Sequence, residues 1–466
     1  MPGMLGAGLS ALNAANAGLI TTSHNISNAN TAGYSRQTAL YASNFPQLSG
    51  SGFFGQGVQI QNVRREYDQF LNQNVLSAAT RHQYSATYRD AVAPLDNLLS
   101  DENAGLSSAL AAFFRGVNDV ANNPASIPAR QAMISLGDSL ASRFNAMDTQ
   151  LRELREQTEG QIASSVALIN GYATRIAELN AQLMRSETAG PSIQANDLRD
   201  QREQLLYELG ELVNVSSQED AQGMLNVFVG SGQSLVLGTS ANAFKVVPDG
   251  VDPARGIIAL QTRAGDVTLP ESLLNGGRLG ALLGFRSEVL DRVQNELGGI
   301  AKEVSRSFNE QHRLGLDLQG NAGGDFFRDL GAVSARDAMA AFAVALTDPQ
   351  AIAAADGSGG AGNNENALVL AGLQTEKVFG GTATFQSTYA QLVTFVGNKS
   401  REVQVSARAH ESQLQQAKSA RESLSGVNLD EEAANLIRFQ QAYQAAARVM
   451  SLSGTLFDEV LSIARR

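Results

Sequence analysis

The chain has 466 residues, 35 of them basic and 46 acidic, for a formal net charge of -11. That balance excludes the basic face a nucleic acid or an anionic lipid surface requires. Cysteine is absent, which also excludes disulfides, thiol nucleophiles and thiolate metal sites.

The start, Met-Pro-Gly-Met-Leu-Gly-Ala-Gly-Leu, lacks the basic n-region and unbroken apolar stretch of a cleavable secretory signal. No window approaches the roughly 18 apolar residues of a membrane-spanning helix. Only 17% of residues are charged, against roughly 25% in an average globular protein, and Ala, Ser, Asn and Gln take their place. Such a surface suits helices buried among copies of themselves. The length allows about three domains.

Residues 4–29 read as a helix with Leu5, Leu9, Leu12, Leu19 and Ile26 along it. Asn28, Asn30, Thr31 and Gly33 supply its end, because Asn and Gly tolerate the left-handed conformation of a C-cap. Period-two patterns over 34–42 and 57–63 predict short strands, and the Gly/Ser-rich stretch 44–57 between them reads as loop. A helix follows over 66–100. From 104 to 212 nearly everything is helical: Leu151, Leu154, Ile162, Val166, Ile169, Ala173, Ile176 and Leu183 recur three and four apart. Asn122-Asn123-Pro124 and Gly190-Pro191 are breaks.

At about 213 the period changes. Val213 and Val215, then Leu225, Val227 and Val229, alternate as strands do, with a turn at Gly230-Ser231-Gly232 and a return over 235–237. This β unit runs to about 270. Glycines 276 and 277 start a helix and admit close backbone packing, and the helix runs from Leu279 to about His312. Residues 338–355 are Ala-rich, 357–364 is a break, and 385–422 reads as a long rod. The last helix, 429–463, places Leu429, Leu436, Tyr443, Met450 and Phe457 at every seventh position. A seven-residue repeat gives a helix a seam that expects a partner helix. Phe439 and Val460 are taken with them as assembly positions.

The expected fold is mainly α with a small all-β insert domain: a multidomain axial protein with long helical rods and terminal coiled-coil helices. The expected division is a terminal core from 1–100 and 425–466, a helical rod domain from 101–212, 271–327 and 366–424, a β insert at 213–270 and a short Ala/Gly-rich insert at 328–365.

Chemistry finds little support. His24, His82, His312 and His410 are scattered, with no HExxH. Asp317, Asn321 and Asp325 sit in a Gly-rich run, but their spacing fails the calcium-loop pattern and Arg328 stands where the bidentate Glu should be. Gly276-Gly277-Arg278-Leu279-Gly280 lacks the Gly-Lys-Ser/Thr core of a phosphate loop. The expectation is a protein that is not an enzyme, with no catalytic, metal or cofactor site.

One motif is specific. Asn25-Ile26-Ser27-Asn28-Ala29-Asn30-Thr31-Ala32-Gly33-Tyr34-Ser35-Arg36 resembles the N-terminal signature of bacterial flagellar rod, hook and hook-associated proteins. In it Tyr34 can pack back on the helix, and Arg36 can pair with a neighbour's carboxylate. Further segments narrow the resemblance. They are Phe113-Phe114 with Ala121-Asn122-Asn123-Pro124 and Arg130-Gln131, Asn196-Asp197-Leu198 with Asp200-Gln201-Arg202, and Phe308-Asn309 through Phe326-Phe327. With Ser425 to Glu432 and Phe439-Gln440-Gln441-Ala442-Tyr443, they are similar to the hook-associated protein 1 family, over essentially the whole chain.

The resemblance implies a structural subunit of the flagellum, placed as a ring between hook and filament. It implies type III export without a cleaved signal peptide, which the missing cysteines fit, and an extracellular location. It implies terminal helices that are disordered in the free subunit and order on assembly. The partners implied are other copies of the chain, the hook protein, a second junction protein on the filament side and an export chaperone at the last helix, with no nucleic acid and no membrane. A hook or rod component and a secreted hydrolase are the alternatives. The family's members often carry larger outer insertions than 328–365 has room for.

Overall fold

The computed structural model describes residues 2–49, 52–101, 105–188, 195–262, 265–358 and 360–464. The chain is mainly α with a small antiparallel β insert, as expected. It opens with α1 (Pro2–Asn28), a turn, and β1 (Gln37–Ser43) paired antiparallel with β4 (Val58–Arg65), with a register shift between Leu40 and Tyr41. The stretch 44–57, expected as loop, carries a second antiparallel pair, β2 (Gln47–Ser49) with β3 (Gly52–Phe54). Three-residue strands are too short to leave an alternation in the sequence.

The helical body follows: α2 (Gln69–Ser100), α3 (Leu106–Asn122), α4 (Ile127–Thr188) and α5 (Asn196–Leu212). Asp68 starts α2 by accepting from the Leu71 amide at 2.9 Å. The break at 122–124 falls between α3 and α4 as read, whereas Gly190 and Pro191 lie outside the described residues. α4 has 62 residues, about 93 Å at 1.5 Å per residue.

The β insert comprises a four-stranded sheet of β5 (Val215–Glu219), β6 (Leu225–Val229), β7 (Gln233–Leu237) and β8 (Ser240–Ala241) in sequential order. Beside it in sequence is a three-stranded sheet of β9 (Ala243–Pro248), β10 (Gly256–Thr262) and β11 (Gly265–Thr268), with β10 central. Then come α6 (Gly277–Phe285), a π turn at Arg286–Leu290, α7 (Asp291–His312), α8 (Ala335–Ala341), α9 (Glu365–Gly372), α10 (Phe385–Ser425) and α11 (Leu429–Ala464). The helix expected over 279–312 is therefore interrupted by one π turn.

α4 is the spine that joins two cores. Its first half buries Met133, Leu140, Phe144, Met147 and Leu151 among Phe113, Phe114, Phe308, Phe326, Phe327 and Phe342. Its second half buries Ile162, Val166, Ile169, Ala173 and Ile176 against Val213, Val227, Val229, Phe244 and Ile258 of the β unit. Between the two, the fully buried Arg286 donates to both Glu159 oxygens at 2.7 and 2.9 Å, to the Gly256 carbonyl at 2.8 Å and to Glu271 at 2.7 Å. α2 runs beside α10, where Tyr389 donates to the Leu99 carbonyl at 2.9 Å.

Two further segments contribute to the helical core. Tyr88, Val92, Leu95 and Leu99 of α2, grouped with the terminal core at 1–100, lie in the helical core. From 328–365, expected as a separate insert, Leu330, Phe342, Ile352 and Ala354 lie there too. Within this Ala-rich run Ala338 and Ala353 to Ala355 are buried, while Ala340 and Ala345 are exposed.

His312 shows how tightly this segment is held. It is fully buried; Nδ1–H donates to the Gly324 carbonyl at 2.7 Å, and Nε2 accepts from the Ala353 amide at 2.9 Å. Burial lowers its pKa below the ordinary imidazole value of 6.5. The unfolded chain therefore takes up this proton first. The stabilisation is complete above pH ~6.5 and is lost as pH falls below it, at up to about 1.4 kcal/mol per pH unit. Urea unfolding at pH 7 and pH 5 is expected to show this loss in the parent and a smaller one in His312→Gln. Equal losses in both would contradict it.

The acidic run at 317–325 is a turn: the Asp317 carboxylate accepts from the Gln319 and Asn321 amides at 2.8 Å each, and Asp325 pairs with Arg313.

Candidate assembly site at the chain termini

The two ends of the chain lie together as α1 packed along α11. The face of α1 that makes this seam is built of small residues: Gly8, Ala15, Gly18 and Thr22 are buried. Phe439 lies on Gly18, where an added Cβ would sit 2.6 Å from its ring, and Met450 lies on Gly8. On α11 the buried positions are Glu432, Ala446 and Ser453, with Phe439 half-buried between them. That is a heptad line one step round from the Leu429–Phe457 line that the sequence emphasises.

The large apolar residues named as assembly positions are exposed or half-buried in the single chain. Leu5 and Leu9 are exposed; Leu12, Leu19 and Ile26 are half-buried. On α11 Leu429, Tyr443, Phe457 and Val460 are exposed, and Leu436 and Met450 are half-buried. Ile437, Val449, Leu452 and Leu461 are exposed as well. Small residues let the two backbones approach closely, and the bulk of the apolar side chains is turned outward.

A polar knot fixes the root of this helix pair to the body. Gly33, at φ +79°, turns the chain after Asn28 and lies against Gln204 of α5. Thr31 donates to the Asn28 side chain at 3.2 Å, while Asn30 is exposed. Asn25, fully buried, holds the centre. Its Oδ1 accepts from the Tyr34 hydroxyl at 2.7 Å and the Gln37 amide at 2.9 Å; its Nδ2 donates to the Gln37 carbonyl at 2.9 Å and to Glu432 at 3.1 Å. Arg36 donates to Glu432 and Glu431 at 2.8 Å each, and its amide donates to the Ser425 carbonyl at 2.9 Å. The carboxylates that Arg36 was expected to find on a neighbour thus come from the other end of its own chain.

α5 supplies the anchor on the body side. The Ser35 amide donates to Asp200 at 3.1 Å, Arg65 of β4 donates to Asp200 at 2.7 Å and Glu203 at 3.0 Å, and Gln37 donates to Asp197 at 2.9 Å. Burial raises the Asp200 and Glu203 carboxyls above their usual range, with Arg65 opposing it. Burial, with Asp197, Asp200 and Glu432 nearby, raises the Tyr34 hydroxyl, which stays a donor at any physiological pH. Sequence reasoning named Tyr34 and Arg36 but not Asn25, Gln37 or Glu432 as site residues. Glu432 joins Asn25 across 407 positions and Gln37 joins Asp197 across 160, separations that no local pattern records.

The described residues hold no group of three or more His, Cys, Asp or Glu able to hold a metal ion, and none of their helices is long and apolar enough to cross a membrane.

Comparison with known proteins places this architecture. Residues 92–327 match the family model of the flagellar hook-associated protein FlgK helical domain, and residues 419–463 match that of the flagellar basal body rod FlgEFG protein C-terminal. Flagellar hook-associated protein 1 of Salmonella typhimurium (strain LT2) is 34% identical over 99% of this chain and 100% of its own. The protein of the same name from Escherichia coli K12 is 32% identical over the same shares. That from Bacillus subtilis is 29% identical over 97% of this chain and 96% of its own. The Salmonella alignment spans 552 positions, more than the chain's 466 residues, so that relative carries segments with no counterpart here. The structure of the flagellar hook junction protein FlgK from Burkholderia pseudomallei shares the fold, with a TM-score of 0.70 at 22% identity over 76% of this chain and 100% of that one.

The class is therefore a structural component of the bacterial flagellum. Within it, the chain belongs to the flagellar hook-associated protein 1 family, whose place is the junction of hook and filament.

Proposed function

We propose that this chain builds a ring of subunits between hook and filament by burying the outward apolar faces of α1 and α11 against neighbouring copies. The observation that carries this reading is the double character of the terminal helices. Their roots are latched by buried polar contacts, yet Leu5, Leu9, Leu429, Tyr443, Phe457 and Val460 are exposed. Each such side chain buried on assembly contributes roughly 1.5–3 kcal/mol. A seam of several per copy offsets the cost of ordering long helices that are marginal without a partner.

The same reading places the hook protein on one side of the ring and a second junction protein on the filament side. The subunit travels through the flagellar type III apparatus uncleaved, with an export chaperone holding the apolar face of α11, and works outside the cell. Zero cysteine suits that route, because an unfolded chain in transit then has no thiols to cross-link.

The match of residues 419–463 to the rod-protein terminus supports a second reading, a hook or rod component. Deleting the gene separates the two. A finished hook without filament, with flagellin released into the medium, is the result expected for the junction subunit. Loss of the hook itself would put the chain in the rod or hook.

A further inference from the structure

The β2–β3 pair is apolar and uncovered. Phe45, Leu48, Phe53 and Phe54 are 92%, 68%, 73% and 56% exposed. Leu48 stands opposite Phe53, so the two share one face. An isolated two-stranded pair is marginal in water, and these strands have three residues each. Their faces call for a third layer.

The root of the pair is fixed. The Asn44 amide donates to the Gly57 carbonyl at 3.0 Å, the Asn44 side chain to the Gln56 carbonyl at 2.9 Å, and the Val58 amide to Ser10 Oγ at 3.2 Å. This sets the pair beside the first turns of α1, where Met4, Leu5 and Leu9 are exposed. Across the seam Gly8 meets Met450 and Val449, and Leu452 of α11 is exposed at that level. The apolar surface of the pair therefore continues the apolar faces of the terminal helices.

Charge identifies the occupant. Arg36 is the only Lys, Arg, Asp or Glu between residues 1 and 63, and it is engaged by Glu431 and Glu432. A chain of net charge -11 repels its own copies over most of its surface. The uncharged region is where copies can meet without that penalty. Copies related by rotation about an axis bring equal levels side by side, through a head-to-tail contact.

We propose that β2–β3 of one copy docks on the outer face of α11 of the next, at Leu452. The proposal rests on the junction reading and adds a contact that the helix seams do not contain. The chain's lack of cysteine makes it directly testable. Phe53→Cys and Leu452→Cys are co-expressed as separate chains in cells without the parental gene, and hook–filament preparations are oxidised mildly.

The expected product is a disulfide-linked dimer when both variants are present and none with either alone. In parallel, Leu48→Ser/Phe53→Ser is expected to keep the parental circular-dichroism melt while its filaments shear off more readily. Both cysteine variants present in the preparation without a dimer, or a dimer formed by Phe53→Cys alone, would overturn the proposal. Absence of the parental protein from hook–filament preparations would instead overturn the junction reading beneath it.

Discussion

Tyr443→Asp is expected to abolish filament growth while leaving the helical body folded. Tyr443 is 38% exposed on α11, so a carboxylate there reaches water in the free subunit. In the proposed ring the same position would be covered by a neighbour. The substitution then removes roughly 1.5–3 kcal/mol of burial and adds the cost of an unpaired charge against an apolar face. A combined loss of about 3–5 kcal/mol at each contact weakens subunit association roughly 10²- to 10³-fold or more, since every 1.4 kcal/mol is tenfold. Motility on soft agar and electron microscopy of the cells read the outcome, and the thermal melt of the purified variant reads its folding. Normal filaments on Tyr443→Asp cells would show that this face is not an interface.

Asn25→Ala is expected to unlatch both ends from the body. Asn25 is fully buried, and all of its hydrogen-bonding directions toward Tyr34, Gln37 and Glu432 are filled. Alanine leaves a backbone amide, a backbone carbonyl, a phenol and a carboxylate short of a partner in a largely buried place. At about 1–3 kcal/mol for each buried group left unsatisfied, partly regained by water, the local loss is about 3–5 kcal/mol. Asn25→Asp is nearly isosteric and sets a second carboxylate beside Glu432, so it should be at least as damaging. Limited proteolysis near residues 29–37 and 425–430 should become much faster in both variants. The aromatic core around Phe113, Phe308, Phe326 and Phe327 shares no contact with Asn25 and should melt unchanged. Unaltered cleavage rates would remove Asn25 from the role assigned to it.

How much of this was legible in the sequence follows the range of the interactions. The α4 stripe from Leu151 to Ile176 was readable because an amphipathic helix repeats its burial every three or four residues, and most of those positions are buried. The change of period at 213 marked the β unit for the same reason. The β2–β3 pair, the π turn at Arg286–Leu290 and the core role of Phe342, Ile352 and Ala354 left no such trace, being short or set by distant partners. The termini are the instructive case. Heptads announced that α1 and α11 pair, but not that small residues would build much of the contact between them. Gly8 and Gly18 make the close contact, and Leu5, Leu9 and Phe457 are exposed. A pattern of hydrophobicity says that a surface will be covered; it does not say whether the cover belongs to the same chain.

The central claim is that the outward faces of α1 and α11 are completed only by neighbouring copies. Hydrogen–deuterium exchange on the purified monomer and on isolated hook–filament assemblies tests it most directly. Peptides from residues 2–24 and 436–464 are predicted to exchange rapidly in the monomer and to become strongly protected in the assembly, while peptides from α4 stay protected in both. Equal, strong protection of both terminal segments in the monomer would contradict the account.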